Sequence, residues 1–392
     1  MSAVLMLVNG PGELWSLARP LKRALDELGV ASQVFLLPCQ FASGVEREVA
    51  SSIWEEGEVI GPLGSWGTIG WLGRGRGLGR WRLLVQLGGD PLWGLLFKRR
   101  MGAELWRYTY RPKGGIWGVD RVFSPAWCAP LAERASSVEF IGDLVLSCFD
   151  EGLTSPLRLV LGDGSVLEGL RARVVLYLPG SRWRVREKGL AFLLEVARVL
   201  RDRRPGWGHL FLLSPFFRDE ELSHIRGLIS GFPLEGIAFA VGDVPSARGL
   251  FQVAVTQPGT NTLELMYSRV PAVVLLPLEM ADLLPRWGFL WALGGLPLLG
   301  GLAREILVSR VLRLKSTLAW PNRIAGEEIF PELVERLSPS SVADFLLSWC
   351  EGEGYARALA ALESLDFSGL EEGARTLAAE IGRRLFGGEA SL

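Results

Sequence analysis

Histidine and cysteine are both scarce in this sequence of 392 residues. The two histidines are His209, in an apolar strand-like run, and His224, in a polar helical pattern, so neither is assigned to catalysis. The four cysteines are far apart and show neither CxxC nor Cys/His spacing, which argues against a zinc site or a disulfide framework. A Ser-His-Asp hydrolase is also disfavoured, because no GxSxG segment is present.

The chain also lacks an excess of either charge. It has 42 basic and 43 acidic residues, so it shows no clustered basic surplus of the kind that predicts nucleic-acid binding. No Asp-x-Asp pair is available to hold a divalent ion on a nucleotide sugar, and we predict neither a metal ion nor a cofactor. The first eight residues carry no charge and lack the basic start of a signal peptide, so we expect a cytoplasmic protein.

Short apolar runs alternate with helical patterns in two successive series, which predicts two parallel sheets. The predicted strands are 3–8, 33–37, 83–87 and 138–141, and then 173–178, 209–213, 237–241, 253–256 and 272–276. Helical patterns follow at 13–28 and 188–200. We therefore predict an α/β protein with two Rossmann-like domains, 1–155 and 156–392, facing an interdomain crevice in the GT-B layout, with C-terminal helices packing back on the first domain.

The segment VAVTQPGTNTLE at 253–264 reads as a buried strand, a small-residue turn and the start of a helix. Such a turn presents backbone N–H groups and a helix N-terminus to an anion, so Gly259, Thr260 and Asn261 are candidate phosphate-binding residues. Thr260 or Asn261 is equally suited to capping the helix. Glu264 lies one turn further on, where a carboxylate can bind ribose hydroxyls.

The segment LPGSR at 178–182 forms a matching strand-to-helix turn in the same predicted sheet. The Arg182 guanidinium can bind a diphosphate with two parallel hydrogen bonds. Alone, the pattern is also compatible with an ordinary surface turn. Together with the turn at 257–261, it predicts a diphosphate clamp.

Two carboxylates are candidates for a general base in the first half. Asp90 follows the strand 83–87 in the turn QLGGDP, where it can take a proton from an acceptor hydroxyl. A structural aspartate before a proline is the alternative. Glu13, in the first strand-to-helix turn, is the competing base.

Tryptophan and arginine alternate in a stretch without acidic residues from 61 to 89. This pattern suits an anionic membrane surface or a lipid head group. The glycines argue against a stable long helix, so a membrane-touching loop is equally favoured, and a purely soluble, mobile loop is the alternative. The residues concerned are Trp66, Trp71, Arg74, Arg76, Arg80, Trp81 and Arg82. The uncharged stretch 287–303 is interrupted by glycine and proline, and we interpret it as a buried or interfacial segment rather than a transmembrane helix.

Three motifs together resemble lipid-A-disaccharide synthases, in matching order and spacing. They are LPGSR at 178–182, PGTNTLEL at 258–265 followed by VPAVVLL at 270–276, and PNRIAGEEIFPEL at 321–333. The segments NGPGELWSLARPLKRAL at 9–25 and VEFIGDLVL at 138–146 are similar in a looser way. The likeness covers most of the chain and is strongest in its second half.

The resemblance implies an inverting GT-B transferase at the inner face of the cell membrane, which joins UDP-2,3-diacylglucosamine to 2,3-diacylglucosamine 1-phosphate. By motif, the residues around UDP would be Gly180, Ser181, Arg182, Gly259, Thr260, Asn261, Glu264 and Asn322, with Gly10 and Gly12 on the acceptor side. The family's Gly-Asp and Asp-x-Pro-Asp segments are Gly12-Glu13 and Gly89-Asp90-Pro91-Leu92 here. These departures leave open a divergent relative that acts on a different lipid, or a non-catalytic lipid- or nucleotide-binding relative. A UDP-N-acetylglucosamine 2-epimerase-like enzyme, which shares the fold, is the other alternative.

Overall fold

The computed structural model describes residues 4–39, 42–74, 78–112, 117–132, 137–168, 171–180, 183–231, 233–277 and 318–387. These residues form two compact units. The first contains the described residues up to Leu153 and those from Phe367 onward. The second contains the described residues from Thr154 to Asp366. Each unit is built on one sheet.

The sheet of the first unit is entirely parallel over the described strands, in the order β3-β2-β1-β4-β5-β6-β7. The strand order reverses between β1 and β4, and such a switch point is where open α/β sheets bind ligands. The strands are β1 (Val4–Val8), β2 (Ser32–Leu36), β3 (Val59–Ile60), β4 (Leu83–Leu87), β5 (Glu104–Tyr108), β6 (Arg121–Pro125) and β7 (Glu139–Ile141).

Helices connect these strands and bury the apolar side chains of β1, β2 and β4. A continuous helical stretch over 11–27, called α1, consists of Pro11–Glu13, a π-helical turn Leu14–Ala18 and Arg19–Glu27. The other connecting helices are α2 (Glu46–Ser51), α3 (Gly64–Arg74) and α4 (Pro91–Met101). Their apolar faces form one core with the sheet that includes Phe35, Trp81 and Phe97.

The second sheet has the order β14-β13-β12-β9-β10-β11-β8 and reverses between β9 and β12. Its strands are β8 (Arg158–Gly162), β9 (Arg173–Tyr177), β10 (Trp207–Leu213), β11 (Ile237–Val241), β12 (Val253–Thr256), β13 (Ala272–Leu275) and β14 (Glu332–Leu333). All neighbouring pairs are parallel except β8, which runs antiparallel to β11.

The second unit's helices pack against a core in which Tyr177, Phe211 and Phe239 stack across β9, β10 and β11. They are α5 (Trp183–Arg203), α6 (Asp219–Leu228), α7 (Val244–Ala247), α8 (Asn261–Tyr267), α9 (Trp320–Ala325), α10 (Pro339–Glu351) and α11 (Glu353–Ser364).

A last helix, α12 (Gly373–Phe386), returns to the first unit and packs on α1. The backbones of Gly142 and Gly373 approach so closely that a Cβ on Gly142 would lie 2.5 Å from the Gly373 nitrogen. The Asp143 N–H donates to the Leu370 carbonyl at 2.8 Å. Arg121 and Glu380 form an ion pair at 2.9 Å across the same contact.

The α/β class with two Rossmann-like domains is confirmed, and every predicted strand is present to within two residues at either end. Two differences stand out. The stretch 158–162 in the predicted junction forms the antiparallel strand β8, and the segment beginning at Gly64 forms the helix α3 although its glycines argued against a long helix. Within the described ranges, no helix is both long and apolar enough to cross a membrane. The stretch 287–303 lies outside those ranges.

Candidate active site

The two candidate bases follow adjacent strands of the first sheet. β1 and β4 are paired, with Val8 opposite Leu87, and Glu13 and Asp90 come after these strand ends. A Cβ placed on Gly10 would lie 3.0 Å from Glu13 Oε2, and one on Gly88 would lie 3.5 Å from Glu13 Oε1. The structure therefore brings both carboxylates to the switch point of this sheet.

Asp90 is the N-cap of α4. Its Oδ1 accepts a hydrogen bond from the Leu92 N–H at 3.0 Å, and Pro91 occupies the first helical position. Asp90 therefore has the structural role that was the alternative to a base, that of an aspartate before a proline. Its role as a base stays a prediction.

A glycine pair makes this turn possible. Gly88 and Gly89 have φ values of 67° and 66°, a left-handed conformation that costs energy for residues with a Cβ. A Cβ on Gly89 would also lie 2.8 Å from the Asn9 Cβ, which follows β1. The chain after β4 therefore passes directly over the chain after β1.

Two buried polar residues that the sequence analysis missed lie beneath the turn. Arg107 donates to the Gly89 carbonyl at 2.7 Å, and Gln86 donates to the Asp90 carbonyl at 2.7 Å. Burial lowers the pKa of Arg107 to about 10, and attraction to Asp90 partly opposes the shift. The only available signal was the polar residue within each strand, Gln in LLVQL and Arg in ELWRY.

A second missed group centres on Asp143, which is fully buried just after β7. Its carboxylate accepts hydrogen bonds from Tyr108 at 3.2 Å, Tyr110 at 2.6 Å, Trp127 at 3.1 Å and the backbone of Val145 at 2.9 Å. Burial, followed by the charge of Asp143, raises the pKa of Tyr108 well above its ordinary value. The stacked rings of Tyr110 and Trp127 are thereby fixed after β5 and β6.

The two predicted phosphate turns lie side by side in the second unit. β9 and β12 are adjacent, and the Leu178 N–H donates to the Val255 carbonyl at 3.0 Å just where the strands end. A Cβ on Gly189 would lie 3.2 Å from Gln257 Nε2, so the start of α5 packs against the β12 turn. Gly180 and Gly259 therefore occupy neighbouring turns at the switch point, while Ser181 and Arg182 lie outside the described residues.

The turn after β12 is fixed by Thr262 rather than by Thr260. The Thr260 side chain makes no capping hydrogen bond, although Thr260 holds the N-cap position of α8. Thr262 donates to the Gly259 carbonyl at 2.8 Å and accepts from the Trp320 N–H at 3.2 Å. Glu264 lies in the first turn of α8 and is 5% exposed.

Asn322 is 1% exposed, and its amide is fully used within its own loop. Its Nδ2 donates to the Phe330 carbonyl and to Glu332 Oε1, and its Oδ1 accepts from the N–H groups of Ile329 and Phe330, at 2.8–2.9 Å. Glu332 Oε1 also accepts from the backbone at Ala319, at 2.8 Å. These contacts give Asn322 the observed role of holding the loop behind the turn.

The predicted membrane residues do not share one environment. Trp66 is 72% exposed on α3, and Arg74, Arg80 and Arg82 are exposed. Trp81 is buried and donates to Gln33 at 3.0 Å, and Trp71 packs in the core with Phe35 and Phe97, so these two rings are not available to a bilayer. Arg76 lies outside the described residues.

His209 is buried in β10 with its Nδ1 3.0 Å from the Tyr177 hydroxyl. Burial, together with nearby Arg201 and Arg171, lowers the pKa of His209 to about 3. The contacts place it in the core, in keeping with the sequence analysis. The described part of the chain contains no cluster of three or more His, Cys, Asp or Glu residues that could hold a metal ion.

Comparison with known proteins supplies two curated relatives. The chain is 27% identical over 232 residues to the lipid-A-disaccharide synthase of Granulibacter bethesdensis, covering 58% of this chain and 49% of that one. It is 27% identical over 239 residues to that of Gluconobacter oxydans, covering 59% and 48%. The resemblance to lipid-A-disaccharide synthases is confirmed. The chain spans about half the length of these relatives, and no family model matches it.

Solved structures share the fold over nearly the whole chain. The S. aureus MnaA–UDP structure matches with a TM-score of 0.60 at 12% identity, covering 98% of this chain and 97% of that one. UDP-GlcNAc 2-epimerase from Neisseria meningitidis, bound to UDP-GlcNAc, matches with a TM-score of 0.57 at 10% identity, covering 96% and 99%. These matches confirm the GT-B fold class.

Proposed function

We propose that this chain is an inverting, metal-independent glycosyltransferase that moves an acylated glucosamine from a UDP donor to a lipid acceptor. The observation that carries the proposal is the adjacency of the turns that contain Gly180 and Gly259, at the switch point between β9 and β12. The similarity to lipid-A-disaccharide synthases supports it. The epimerase-like alternative shares the fold, and likeness of fold alone does not favour it.

We assign the donor to the second unit. The turn at Gly259, Thr260 and Asn261 would receive the diphosphate beside Gly180 and Ser181, with Arg182 neutralising the leaving group. Glu264 would bind the ribose hydroxyls. Asn322 would act behind these residues, because it holds the loop that Thr262 ties to the β12 turn.

We assign acceptor activation to the first unit, with Gly10 and Gly12 on the acceptor side. The carboxylate of Asp90, or of Glu13, would take the proton from the acceptor hydroxyl as its oxygen attacks the anomeric carbon of the donor sugar. The bond from that carbon to the diphosphate oxygen breaks, and UDP leaves with the electron pair. Attack from the face opposite UDP inverts the anomeric configuration.

A membrane surface is the proposed source of the acceptor. Asp90 is the only acidic residue between Glu58 and Glu104, whereas this stretch contains seven arginines and lysines. Exposed apolar side chains lie on or beside the same two helices: Leu63 and Trp66 at α3, and Leu92 and Leu96 on α4. Arg100 joins the helices by donating to the Leu72 carbonyl at 2.8 Å.

This surface places apolar residues of α4 immediately after Asp90, the candidate base. Apolar side chains with surrounding arginines suit peripheral docking on an anionic bilayer. We therefore propose peripheral association with the inner face of the cell membrane, through Trp66, Arg74, Arg80 and Arg82 of the predicted set and through Leu92 and Leu96.

The test is UDP release by the purified full chain. A UDP-diacylglucosamine donor and a diacylglucosamine 1-phosphate acceptor in detergent should yield UDP only when both are present, with a β-linked disaccharide by NMR and equal rates after EDTA treatment. Acceptor-independent conversion of UDP-N-acetylglucosamine into its 2-epimer would contradict transfer. UDP binding without turnover on any lipid acceptor would support the non-catalytic alternative.

A further inference from the structure

Two buried polar side chains face each other across β4 and β5. Gln86 and Arg107 are directly opposed in the parallel register, and they are 0% and 7% exposed. Their strand neighbours Val85, Leu87, Trp106 and Tyr108 are buried and largely apolar. Burying polar groups in such an environment is costly unless they are hydrogen-bonded.

Both side chains hold consecutive carbonyls of the turn above them. Arg107 donates a hydrogen bond to the Gly89 carbonyl, and Gln86 donates one to the Asp90 carbonyl, each at 2.7 Å. The Gly88 N–H adds a backbone bond to the Tyr108 carbonyl at 3.0 Å. Asp90 is thus fixed on both sides, because its own carboxylate bonds to the Leu92 N–H.

The charge of Arg107 requires a separate explanation. A neutral amide would donate equally well to the Gly89 carbonyl, and within the described residues Arg107 forms no ion pair closer than 4.0 Å. A buried cation without a close counterion is among the most expensive groups in a protein interior. The guanidinium is bound to the Gly89 carbonyl, one residue before Asp90, and attraction to Asp90 opposes the lowering of the Arg107 pKa by burial.

We propose that Arg107, assisted by Gln86, is a positioning residue for Asp90, holding its turn from below and placing a positive charge beside its carboxylate. The proposal deepens the proposed function and rests on it, because it assigns a task to Arg107 in the same transfer reaction. Arg107 does not touch the substrate in this assignment.

The first experiment separates this role from a merely structural one. Arg107→Met should lower kcat at least tenfold and leave the KM for the UDP donor within twofold, whereas Arg107→Lys, which keeps the charge, should recover most of kcat. The thermal midpoint of Arg107→Met should stay close to that of the unmodified chain, since the loss of the hydrogen bond to the Gly89 carbonyl opposes the gain from removing a buried cation. A lower midpoint with unchanged kcat would overturn the proposal.

Arg107→Gln tests the charge alone, because it keeps a donor for the Gly89 carbonyl. Its kcat should fall, but less far than that of Arg107→Met, because the hydrogen bond to the Gly89 carbonyl is kept. A folded Arg107→Gln variant with full turnover would show that the charge is dispensable and would overturn that part of the proposal. If Arg107→Met fails to fold, the Arg107→Gln variant still tests the proposal.

A second measurement does not depend on activity. Amide hydrogen exchange at Leu92, whose N–H is bound by Asp90, should become about tenfold faster in Arg107→Met, the change expected when one hydrogen bond holding the turn is lost. Unchanged exchange at Leu92 would overturn the positioning role. If the unmodified chain transfers no sugar, the proposed function fails, and the exchange result still decides whether Arg107 holds the turn.

Discussion

Thr262 accepts a hydrogen bond from the Trp320 N–H at 3.2 Å, and this contact joins the turn after β12 to the loop of the PNRIAGEEIFPEL segment. This hydrogen bond therefore connects two segments that are separated by more than fifty residues. Both segments resemble lipid-A-disaccharide synthases. The hydroxyl of Thr262 also donates to the Gly259 carbonyl. The proposed phosphate turn is thus held by this side chain together with its own backbone hydrogen bonds, among them that from the Thr262 N–H to the Gly259 carbonyl at 3.1 Å.

Thr262→Val should weaken UDP binding measurably by calorimetry and lower the free energy of unfolding by about 1–3 kcal/mol, because it removes two buried hydrogen bonds at nearly constant volume. Thr68→Val is the matched control, since Thr68 is equally buried but bonds to the Gly64 carbonyl in the first unit. Equal UDP affinity in both variants would show that Thr262 does not contribute to UDP binding.

Arg182→Ala should weaken UDP binding by about 2–4 kcal/mol, the usual cost of removing one partner of a buried charge pair. Calorimetry with UDP measures it directly. Arg198→Ala provides a control on α5, since Arg198 is exposed and pairs only with Glu195 among the described residues. An unchanged dissociation constant in folded Arg182→Ala would remove Arg182 from the donor site.

Asp90→Asn should lower turnover at least about a hundredfold and leave UDP affinity intact, because an amide cannot accept the proton. Asparagine caps helices as well as aspartate does, so the fold should keep its stability. Asp243→Asn, at the N-cap of α7, controls for the loss of a capping carboxylate. Glu13→Gln is the parallel test: if only this change stops the reaction, the two carboxylates exchange roles.

Liposome co-sedimentation should require anionic lipid and decline with salt, because each arginine near the surface contributes about 1 kcal/mol that ions screen. Trp66→Ser combined with Gln at Arg74, Arg80 and Arg82 should weaken binding and impair activity on bilayer-embedded acceptor more than on detergent-dispersed acceptor. Phe386→Ser, a change at an exposed aromatic residue at the end of α12, is the control. Equal sedimentation with neutral and anionic liposomes would contradict the docking proposal.

The stability of the second unit should fall as the pH drops below about 6. His209 is buried neutral, and its pKa of about 3 lies below its ordinary value, so the unfolded chain binds more protons in the interval between them. The free energy of unfolding should fall by up to about 1.4 kcal/mol per pH unit in this interval. In denaturant unfolding, the free energy of unfolding of His209→Gln should depend less steeply on pH over this interval than that of the unmodified chain. Parallel slopes for the two proteins would contradict the assignment.

The strands that sequence alone predicted best are those buried on both faces. β4, β11 and β12 match their predicted bounds because a buried parallel strand reads as a continuous apolar run. β5 and β6 were not predicted, because ELWRY and RVFSP contain arginine and proline, which such a run normally excludes. The bond from Arg107 to Gly89 depends on strand register and is invisible in a local pattern.

The glycines of α3 left a loop as favoured as a helix when the sequence was considered alone. Gly64, Gly67, Gly70 and Gly73 weaken a helix by local propensity. Trp71 and Leu72 nevertheless bury their side chains against Phe35 and Phe97, and this packing outweighs the propensity. The two strand-to-helix turns at Gly180 and Gly259 were predictable because their residues are consecutive, whereas the buried support under Asp90 and around Asp143 is assembled from separate strands.

The return of α12 to α1 makes the first unit discontinuous along the chain, with the second unit inserted between its parts. During synthesis on a ribosome, the surface of α1 and the backbone at Gly142 stay uncovered until residues 373–386 emerge. The second unit, complete by Asp366, can mature earlier. The unit that carries Asp90 and Glu13 therefore cannot complete its fold until the second unit has been translated.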